Sequence, residues 1–379
     1  MLTFFSVKNF RQFREELVFD FSKVRDYQFN TNCVKNGFVN KAIIYGKNAV
    51  GKTNLMEAMR DIVYTTLGSI EGNEKTYRNA DSNADEPISF HYSFLLEDVK
   101  IDYQYEKMDS INVIAEKLVI DDIIIFEYNR YDSKYDFNNV GIIGAEQLQW
   151  DDFCNMRTSE DDTELINSLT ALRFAYSNTA TSQDTPFKKL VRFILNMRFS
   201  TGLGTINSTK ATRLLLREID DFEDKNIKDF EEFLNTFGVN CKLVPLPGAD
   251  GKKKIYFDHK TPLDFFENMS SGTRLLTTFY LLYINSVIPT SFVFIDEFDA
   301  YYHYELSERI VKLLEDRFDC QVVLTTHNTN LLSNSIMRPD CFMILHDGHI
   351  TPICDATSRE LRQGHNLEKL YMSGEFDAE

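Results

Sequence analysis

The sequence predicts an α/β protein with an antiparallel β region near the N-terminus and a mainly helical insertion. Residues 87–130 hold runs in which apolar and polar side chains alternate, and such runs predict an antiparallel meander. From residue 264 onward, strand-like and helical patterns follow one another, which is typical of a sheet flanked by helices. Between about residues 151 and 240 the pattern is helical and the charges lie in blocks. We therefore expect three regions, at residues 1–150, 151–263 and 264–379.

The composition favours a folded cytoplasmic protein with no membrane association. The chain has 379 residues, of which 43% are hydrophobic and 13% aromatic, enough for a substantial core. None of the six cysteines belongs to a Cys-x-x-Cys pair, so reduced thiols are expected. The N-terminus lacks the order of a signal peptide, and no apolar run approaches the roughly 20 residues that cross a bilayer. The net charge of −17 argues against wrapping nucleic acid with the whole surface.

A phosphate-binding loop is predicted in the stretch "KAIIYGKNAVGKTN", residues 41–54. The pattern G-x-x-x-x-G-K-[ST] is met by Gly46, Gly51, Lys52 and Thr53. A short apolar strand precedes it and an amphipathic helix follows it, as this type of loop requires. Glycines let backbone N–H groups face phosphate oxygens, and the start of the helix adds its positive dipole. We expect Lys52 to neutralise the β- and γ-phosphates of a nucleotide and Thr53 to ligate Mg²⁺.

A predicted buried strand, "FVFID", ends in two adjacent carboxylates, Asp296 and Glu297. Carboxylates at the tip of a buried strand are costly unless a cation lies nearby. We therefore expect Asp296 to bind Mg²⁺ and Glu297 to be the base that orients an attacking water. A solvated acidic turn is the alternative, and the phosphate-binding loop in the same chain disfavours it.

A second predicted strand, in "QVVLTTHN", ends beside His327. A single histidine is more often structural than functional. Here, however, it follows Asp296 by 31 residues with a helical pattern between them, which is the length of one β-α-β unit. Parallel neighbouring strands would bring His327 close to Glu297 and to the γ-phosphate.

A third stretch, "ENMSSGTRLLTTFYLLYI", leads from small polar residues into an apolar helix. Ser270 is a good N-cap, and Gly272 allows a ligand to approach the backbone. The helix start could bind an anion, although this pattern, taken alone, is more often that of a plain capped helix.

Taken in chain order, these stretches resemble the motifs of the ABC-type ATPase heads of the SMC, RecF and OLD group. The similar segments are "GKNAVGKTN" for the Walker A loop, "MSSGT" for the signature with Met269 where Leu is usual, "FVFIDEFDAYYH" for Walker B and the D-loop, "LTTHN" for the switch histidine, and "FFSVKNFRQF" for the first strand. The resemblance covers about residues 1–130 and 264–379 and implies a P-loop NTPase of ABC-ATPase head type with a mixed sheet. It also implies that Asn48 and Asn54 bind the nucleotide.

The resemblance further implies an Mg²⁺-dependent ATPase in which two heads enclose two ATP molecules. Asp299 takes the D-loop position. Ser270 and Gly272 of one chain would contact the γ-phosphate bound by Lys52 of the other. A homodimer or a larger even-numbered oligomer is therefore expected. ATP is expected rather than GTP, because no N-K-x-D guanine-binding motif follows the loop.

Within that group, the chain looks most like the compact ATPases of bacterial phage-defence and abortive-infection operons. The closing segment "LRQGHNLEKLYMSGEF" is similar to the tails of those proteins. This resemblance implies a sensor or scaffold ATPase that controls a separate effector chain, a nuclease. No metal-nuclease cluster is visible in the sequence itself.

The alternative is a DNA-maintenance ATPase that binds DNA directly. Residues 181–217 form a basic island with one acid, Asp184, and seven basic residues: Lys188, Lys189, Arg192, Arg198, Lys210, Arg213 and Arg217. Such a cluster could contact DNA phosphates if it lies on one face. The acidic blocks at 151–164 and 218–232 could instead neutralise it across neighbouring helices. A transporter subunit is a third class, and the long insertion argues against it.

Overall fold

Two large β-sheets and the helices that pack on them make up the described part of the chain. The computed structural model describes residues 1–68, 77–131, 134–137, 148–158, 168–178, 185–202, 224–248, 253–284, 289–300 and 304–376. Its strands are β1 (Leu2–Lys8), β2 (Leu17–Asp20), β3 (Val34–Lys35), β4 (Phe38–Val39), β5 (Lys41–Tyr45), β6 (Ile88–Leu96), β7 (Val99–Lys107), β8 (Val113–Ile120), β9 (Ile123–Asn129), β10 (Lys134–Phe137), β11 (Met197–Thr201), β12 (Leu243–Pro247), β13 (Lys253–Phe257), β14 (Leu263–Asp264), β15 (Phe292–Asp296), β16 (Gln321–Thr325), β17 (Phe342–His346) and β18 (His349–Pro352). Its helices are α1 (Lys52–Leu67), α2 (Trp150–Thr158), α3 (Ala171–Asn178), α4 (Pro186–Leu195), α5 (Asp224–Thr236), α6 (Phe265–Asn268), α7 (Ser271–Phe279), α8 (Tyr304–Arg317) and α9 (Leu367–Met372).

The first sheet is antiparallel, with the strand order β10-β9-β8-β7-β6-β1-β2. Every second residue of β6 is buried, from Ile88 to Leu96, and the residues between them are half-buried. This alternation places the aromatic side chains of Phe90, Tyr92 and Phe94 in the core. The antiparallel meander that the sequence predicts for residues 87–130 is confirmed.

The second sheet is mainly parallel, with the strand order β11-β15-β16-β5-β17-β18. β5, β15 and β16 are buried at every position, because helices and the other sheet cover both of their faces. β15, α8 and β16 form the predicted β-α-β unit, and β15 and β16 are parallel neighbours. The α/β fold class, with a mixed sheet and an antiparallel N-terminal β region, is therefore confirmed.

The region predicted to be mainly helical, residues 151–263, also contains strands. β11 is an edge strand of the parallel sheet, in register with β15, while β12 and β13 form a small sheet with β14. The prediction missed β11 because its five residues carry little alternation and lie within the basic island, beside a strongly amphipathic helix. Three basic residues of the island lie outside the described residues: Lys210, Arg213 and Arg217.

α1 contacts both sheets, and a buried ionic cluster joins it to the antiparallel one. Lys107 of β7 donates to both carboxylate oxygens of Asp61, at 2.9 and 3.1 Å, and both side chains are almost fully buried. Asp61 also accepts hydrogen bonds from three hydroxyl groups, those of Thr65, Tyr77 and Tyr105. A buried ion pair is tolerated only when its remaining lone pairs are satisfied in this way. The cluster therefore sets the position of α1 against the sheet.

None of the described helices is both long and apolar enough to cross a lipid bilayer.

We expect Lys107→Met to lower the free energy of unfolding by about 3–5 kcal/mol, because Asp61 would stay buried without its cation. Chemical denaturation followed by circular dichroism measures this. The control is Lys312→Met, which removes an exposed pair with Glu308 (2.6 Å) and should cost less than about 1 kcal/mol. Equal losses for the two variants would contradict the role assigned to the cluster.

Candidate active site

Three buried parallel strands end side by side, and the candidate residues follow their carboxyl ends. β16 lies between β15 and β5, with Leu324 opposite Ile295 and Thr325 opposite Ile44. The phosphate-binding loop follows β5, the two carboxylates close β15, and the histidine loop follows β16. The carboxyl edge of a parallel sheet is where such folds bind ligands.

The loop between β5 and α1 is shaped by positive backbone angles and by close packing. Ala49 has φ 64° and Gly51 has φ 103°, so Gly51 adopts a conformation that side chains disfavour. A Cβ atom on Gly51 would overlap the side-chain amide of Gln12. At Gly46 it would lie 2.7 Å from Val50 and 2.8 Å from the carbonyl oxygen of Leu345. Both predicted glycines are thus required sterically.

The first turn of α1 is open to an anion. Gly51 caps the helix without a side-chain hydrogen bond, and the first turn has no acidic residue. Its backbone N–H groups and its positive dipole end are therefore available to an anionic ligand. Asn48 lies exposed in the loop.

Lys52 bends back over the loop. Its Nζ donates to the carbonyl oxygens of Gly46 at 2.9 Å and Lys47 at 3.2 Å, and it lies 2.9 Å from Nε2 of His327. Burial lowers the pKa of Lys52, while the nearby carboxylates of Asp296 and Glu297 act in the opposite direction.

The side chains of Asp296 and Thr53 bring a carboxylate oxygen and a hydroxyl oxygen together. The hydroxyl of Thr53 donates to Oδ2 of Asp296 at 2.6 Å, and the hydroxyl of Thr325 donates to Oδ1 at 2.6 Å. Asp296 is 1% exposed, so both oxygens are satisfied inside the protein. Oxygen atoms from one carboxylate and one hydroxyl fit Mg²⁺, which takes one or two protein ligands together with phosphates and water. Among the described residues no group of three or more His, Cys, Asp or Glu side chains could hold a metal by itself.

The backbone leaves the direction of β15 at Glu297. Its φ of 48° lies in the left-handed region, which is unusual for a residue with a side chain. Its N–H donates to the hydroxyl of Thr325 at 2.8 Å, and its side chain is exposed at the sheet edge. The Glu297 carboxylate lies near enough to Lys52 to oppose the lowering of the pKa of Lys52.

His327 is exposed, and its imidazole contacts Lys52. Burial, and then the cation of Lys52, lower the pKa of His327 below its ordinary value. This shift favours the neutral form of the imidazole. Since an ammonium group can only donate, Nε2 of His327 accepts and its proton is assigned to Nδ1.

Asp299 lies beside the histidine loop of its own chain. Its Oδ2 accepts a hydrogen bond from Thr326 at 2.7 Å. Burial raises the pKa of Asp299, and the hydrogen bonds from Thr326 and Asn328 partly oppose that rise.

Ser270 and Gly272 belong to a separate element. Ser270 caps α7 by accepting from the N–H of Thr273 at 3.1 Å, as predicted for an N-cap. A Cβ on Gly272 would meet only Ser270 Oγ, at 4.0 Å, so the helix start is open. In the described part of the chain, the hydrogen bonds of Ser270 reach Thr273 and not the loop of Lys52.

Sequence reasoning missed three side chains that support the site. Arg11 donates to Oδ1 of Asn54 at 3.1 Å, and Asn54 donates to Gln12 at 2.9 Å, so the turn after β1 packs on the start of α1. Thr325 bonds to both carboxylate residues of β15. The first two lie in "VKNFRQF", where only the strand pattern drew attention, and no local pattern marks Thr325.

This fold and this arrangement of side chains define a P-loop ATPase. A family described as "AAA domain, putative AbiEii toxin, Type IV TA system" matches residues 41–333, and the chain belongs to that family. None of the curated protein sequences matches the chain significantly.

Distant likenesses are found among solved structures. An SMC head bound to the C-terminal winged-helix domain of ScpA is 13% identical with a TM-score of 0.45, covering 92% of this chain and 96% of that chain. The SMC head domain from Thermotoga maritima is 12% identical with a TM-score of 0.45, covering 93% and 98%. An SMC head from Pyrococcus furiosus, bound to the C-terminal domain of ScpA, is 14% identical with a TM-score of 0.40, covering 92% and 95%.

Proposed function

We propose that the chain binds ATP and hydrolyses it to ADP and phosphate with Mg²⁺ at the carboxyl edge of the parallel sheet. One observation supports this above all. Lys52 is hydrogen-bonded to His327, and Thr53 next to it is hydrogen-bonded to Asp296, although α1, β15 and the loop after β16 are separate in sequence. Glu297 is connected to Asp296 through Thr325, whose hydroxyl accepts from the backbone N–H of Glu297 and donates to Asp296.

In this proposal the loop holds the phosphates. The N–H groups of the first turn of α1 face the β-phosphate, and Lys52 donates to the β- and γ-phosphates. The two backbone carbonyls that Lys52 contacts carry no net charge. Phosphate oxygens are stronger acceptors, so the ligand displaces these contacts.

Thr53 and Asp296 would hold Mg²⁺. Their oxygen atoms lie 2.6 Å apart, and both face the loop side of the sheet edge. Mg²⁺, when bound, supplies positive charge to the phosphate oxygens.

Glu297 and His327 are proposed to act on the γ-phosphate. Glu297 accepts a proton from the attacking water, whose oxygen bonds to the γ-phosphorus while the bond to the bridging oxygen of ADP breaks. The neutral imidazole of His327 is close enough to Lys52 to contact the same phosphate.

A second copy of the chain is proposed to complete the site. Ser270 and the open start of α7 offer hydrogen-bond donors, but in the described residues they bond within their own helix. Placed against the γ-phosphate of a partner chain, they would close the nucleotide between two heads. Asp299, next to the histidine loop, would lie near that contact.

The proposed role is that of a defence sensor whose nucleotide state controls a separate effector, a nuclease. The description of the family names a toxin of a toxin–antitoxin system, and such systems consist of two components. The closing segment "LRQGHNLEKLYMSGEF" supports the same role. Its helix α9 packs near the histidine loop, where the hydroxyl of Thr329 donates to the carboxylate of Glu368 at 2.9 Å. An effector bound at this tail could respond to the site.

A DNA-binding role is the second candidate, and the basic residues of α4 favour it. Lys188, Lys189 and Arg192 lie on this helix. Lys189, however, pairs with Glu97 at 2.6 Å, which reduces the charge available for phosphates.

Lys52→Ala should weaken ATP binding by about 100-fold or more, because charge-assisted hydrogen bonds to phosphate are lost. Titration with a fluorescent ATP analogue measures the affinity. Lys312→Ala, a surface change on α8, is the control and should bind as the wild type does. Unchanged binding by Lys52→Ala would refute the phosphate-binding role of the loop.

Glu297→Gln should reduce ATP turnover by about 10²–10⁴-fold while ATP still binds, because the amide cannot accept the proton. ATP-bound dimers should then accumulate, and light scattering after size-exclusion chromatography detects them. The control is Glu305→Gln, an exposed acid in the first turn of α8. Wild-type turnover in Glu297→Gln would show that the base lies elsewhere.

The two cellular roles differ in what accompanies the chain. Purified with ATP after expression from its own operon, the chain should carry a neighbour-encoded protein in stoichiometric amount, identified by mass spectrometry. The DNA role predicts instead that DNA binds at low salt and that Arg192→Glu with Arg198→Glu abolishes the binding. Arg359→Glu with Arg362→Glu, elsewhere on the surface, is the matched control.

A further inference from the structure

Thr325 connects Asp296, the last residue of β15, with Glu297, which follows it, through one hydroxyl group. The hydroxyl donates to Oδ1 of Asp296 at 2.6 Å and accepts from the N–H of Glu297 at 2.8 Å. A threonine hydroxyl has a single hydrogen to donate, and here that hydrogen is committed to Asp296. Thr325 has no exposed surface, so water does not compete for these bonds.

The strand register places Thr325 where it can make both bonds. β15 and β16 are parallel, and Leu324 lies opposite Ile295, so Thr325 is level with the end of β15. Every residue of β16 is buried, which fixes the strand against its neighbours. Thr325 is therefore held by the sheet and not by the loop that follows it.

The bond to Asp296 restricts the rotation of a candidate metal ligand. Oδ1 is occupied by Thr325, so Oδ2 is the oxygen that faces Thr53. Without Thr325, the carboxylate could turn about its last torsion and present either oxygen, or neither, to a cation. Partners of metal ligands commonly set ligand orientation in this way.

The bond to Glu297 stabilises an unfavourable backbone conformation. Glu297 has φ 48°, a value that costs energy in a residue with a Cβ and that persists only when surrounding contacts maintain it. Its N–H bond to Thr325 is such a contact, and it lies at the point where the chain leaves β15. The direction of the Glu297 side chain depends on this turn.

We propose that Thr325 is a positioning residue that orients both the metal ligand Asp296 and the base Glu297. This proposal rests on the ATPase function proposed above. It has no exposed surface and acts through these two residues. One buried hydroxyl thereby couples the geometry of metal binding to the geometry of proton transfer.

The test uses Thr325→Val in the full chain, because valine keeps the shape and removes the hydroxyl. Binding of a fluorescent ATP analogue is measured first in EDTA, then with increasing Mg²⁺. In EDTA the affinity should stay within about twofold of the wild type, because Lys52 and the loop are unchanged. The Mg²⁺ concentration that gives half of the metal-dependent change should rise by about 10-fold to 100-fold.

Turnover gives a second readout. For Thr325→Val, kcat should fall by about 10-fold to 100-fold while KM changes little. Thr325→Ser keeps the hydroxyl and should restore both the Mg²⁺ midpoint and kcat. The matched control is Thr357→Val: Thr357 also donates to a carboxylate, Glu375 at 2.7 Å, and accepts a backbone N–H, that of Arg359 at 3.1 Å.

Each result decides the proposal. A raised Mg²⁺ midpoint in Thr325→Val, absent from Thr325→Ser and Thr357→Val, supports it. A lower melting temperature with an unchanged midpoint would overturn it and leave Thr325 a purely structural residue. If Thr325→Val does not fold, Thr325→Cys, a similar size with a weak donor, is read by the same criteria. A wild-type chain that binds no ATP would overturn the proposed function itself.

Discussion

The site depends on the burial of one carboxylate. Asp296 is almost fully enclosed at the end of β15, and an ionised carboxylate in such a place is costly unless donors surround it. Two hydroxyl groups supply the donors, one from α1 and one from β16. The need to satisfy Asp296 therefore joins three elements that are distant in sequence: the helix after the phosphate-binding loop, the strand of the carboxylates and the strand before His327. These hydrogen bonds and the parallel register of β15 and β16 place the three elements at the same edge of the sheet.

The first helix bonds to both sheets, and two of these contacts differ in kind. Thr53 bonds to the parallel sheet in the first turn, while Asp61, two turns later, bonds to Lys107 of the antiparallel sheet. The two contacts differ in nature. The first is a single hydrogen bond at the edge of the site, which a bound cation would replace, whereas the second is a buried network with five hydrogen bonds to one carboxylate. α1 thus has a stable anchor in one sheet and an exchangeable contact in the other.

The parts of this site that could be predicted are those that have a short local sequence pattern. A glycine-rich loop between a strand and a helix, two carboxylates at a strand end, and a histidine 31 residues later each have a local pattern, and the β-α-β spacing brought them together. Contacts such as Arg11 with Asn54, or Thr325 with Asp296, depend on strand register and side-chain direction, which no pattern encodes. β11 was missed for a related reason. This five-residue edge strand is identified by its pairing with β15, and its own composition does not indicate a strand.

The contacts of Lys52 support the proposal that the loop binds a polyanion. Its ammonium group is largely buried, yet in the described structure its hydrogen bonds go to two carbonyl oxygens and an imidazole, none of which carries a negative charge. Burial lowers its pKa, which measures the cost of keeping the charge there. The nearby carboxylates of Asp296 and Glu297 relieve only part of this cost, and the oxygens of Asp296 accept hydrogen bonds from Thr53 and Thr325, not from Lys52. A phosphate group would supply the missing counter-charge at the start of α1. Because two hydroxyl groups satisfy Asp296, Lys52 makes no hydrogen bond to that carboxylate, as the proposed binding of phosphate by Lys52 requires.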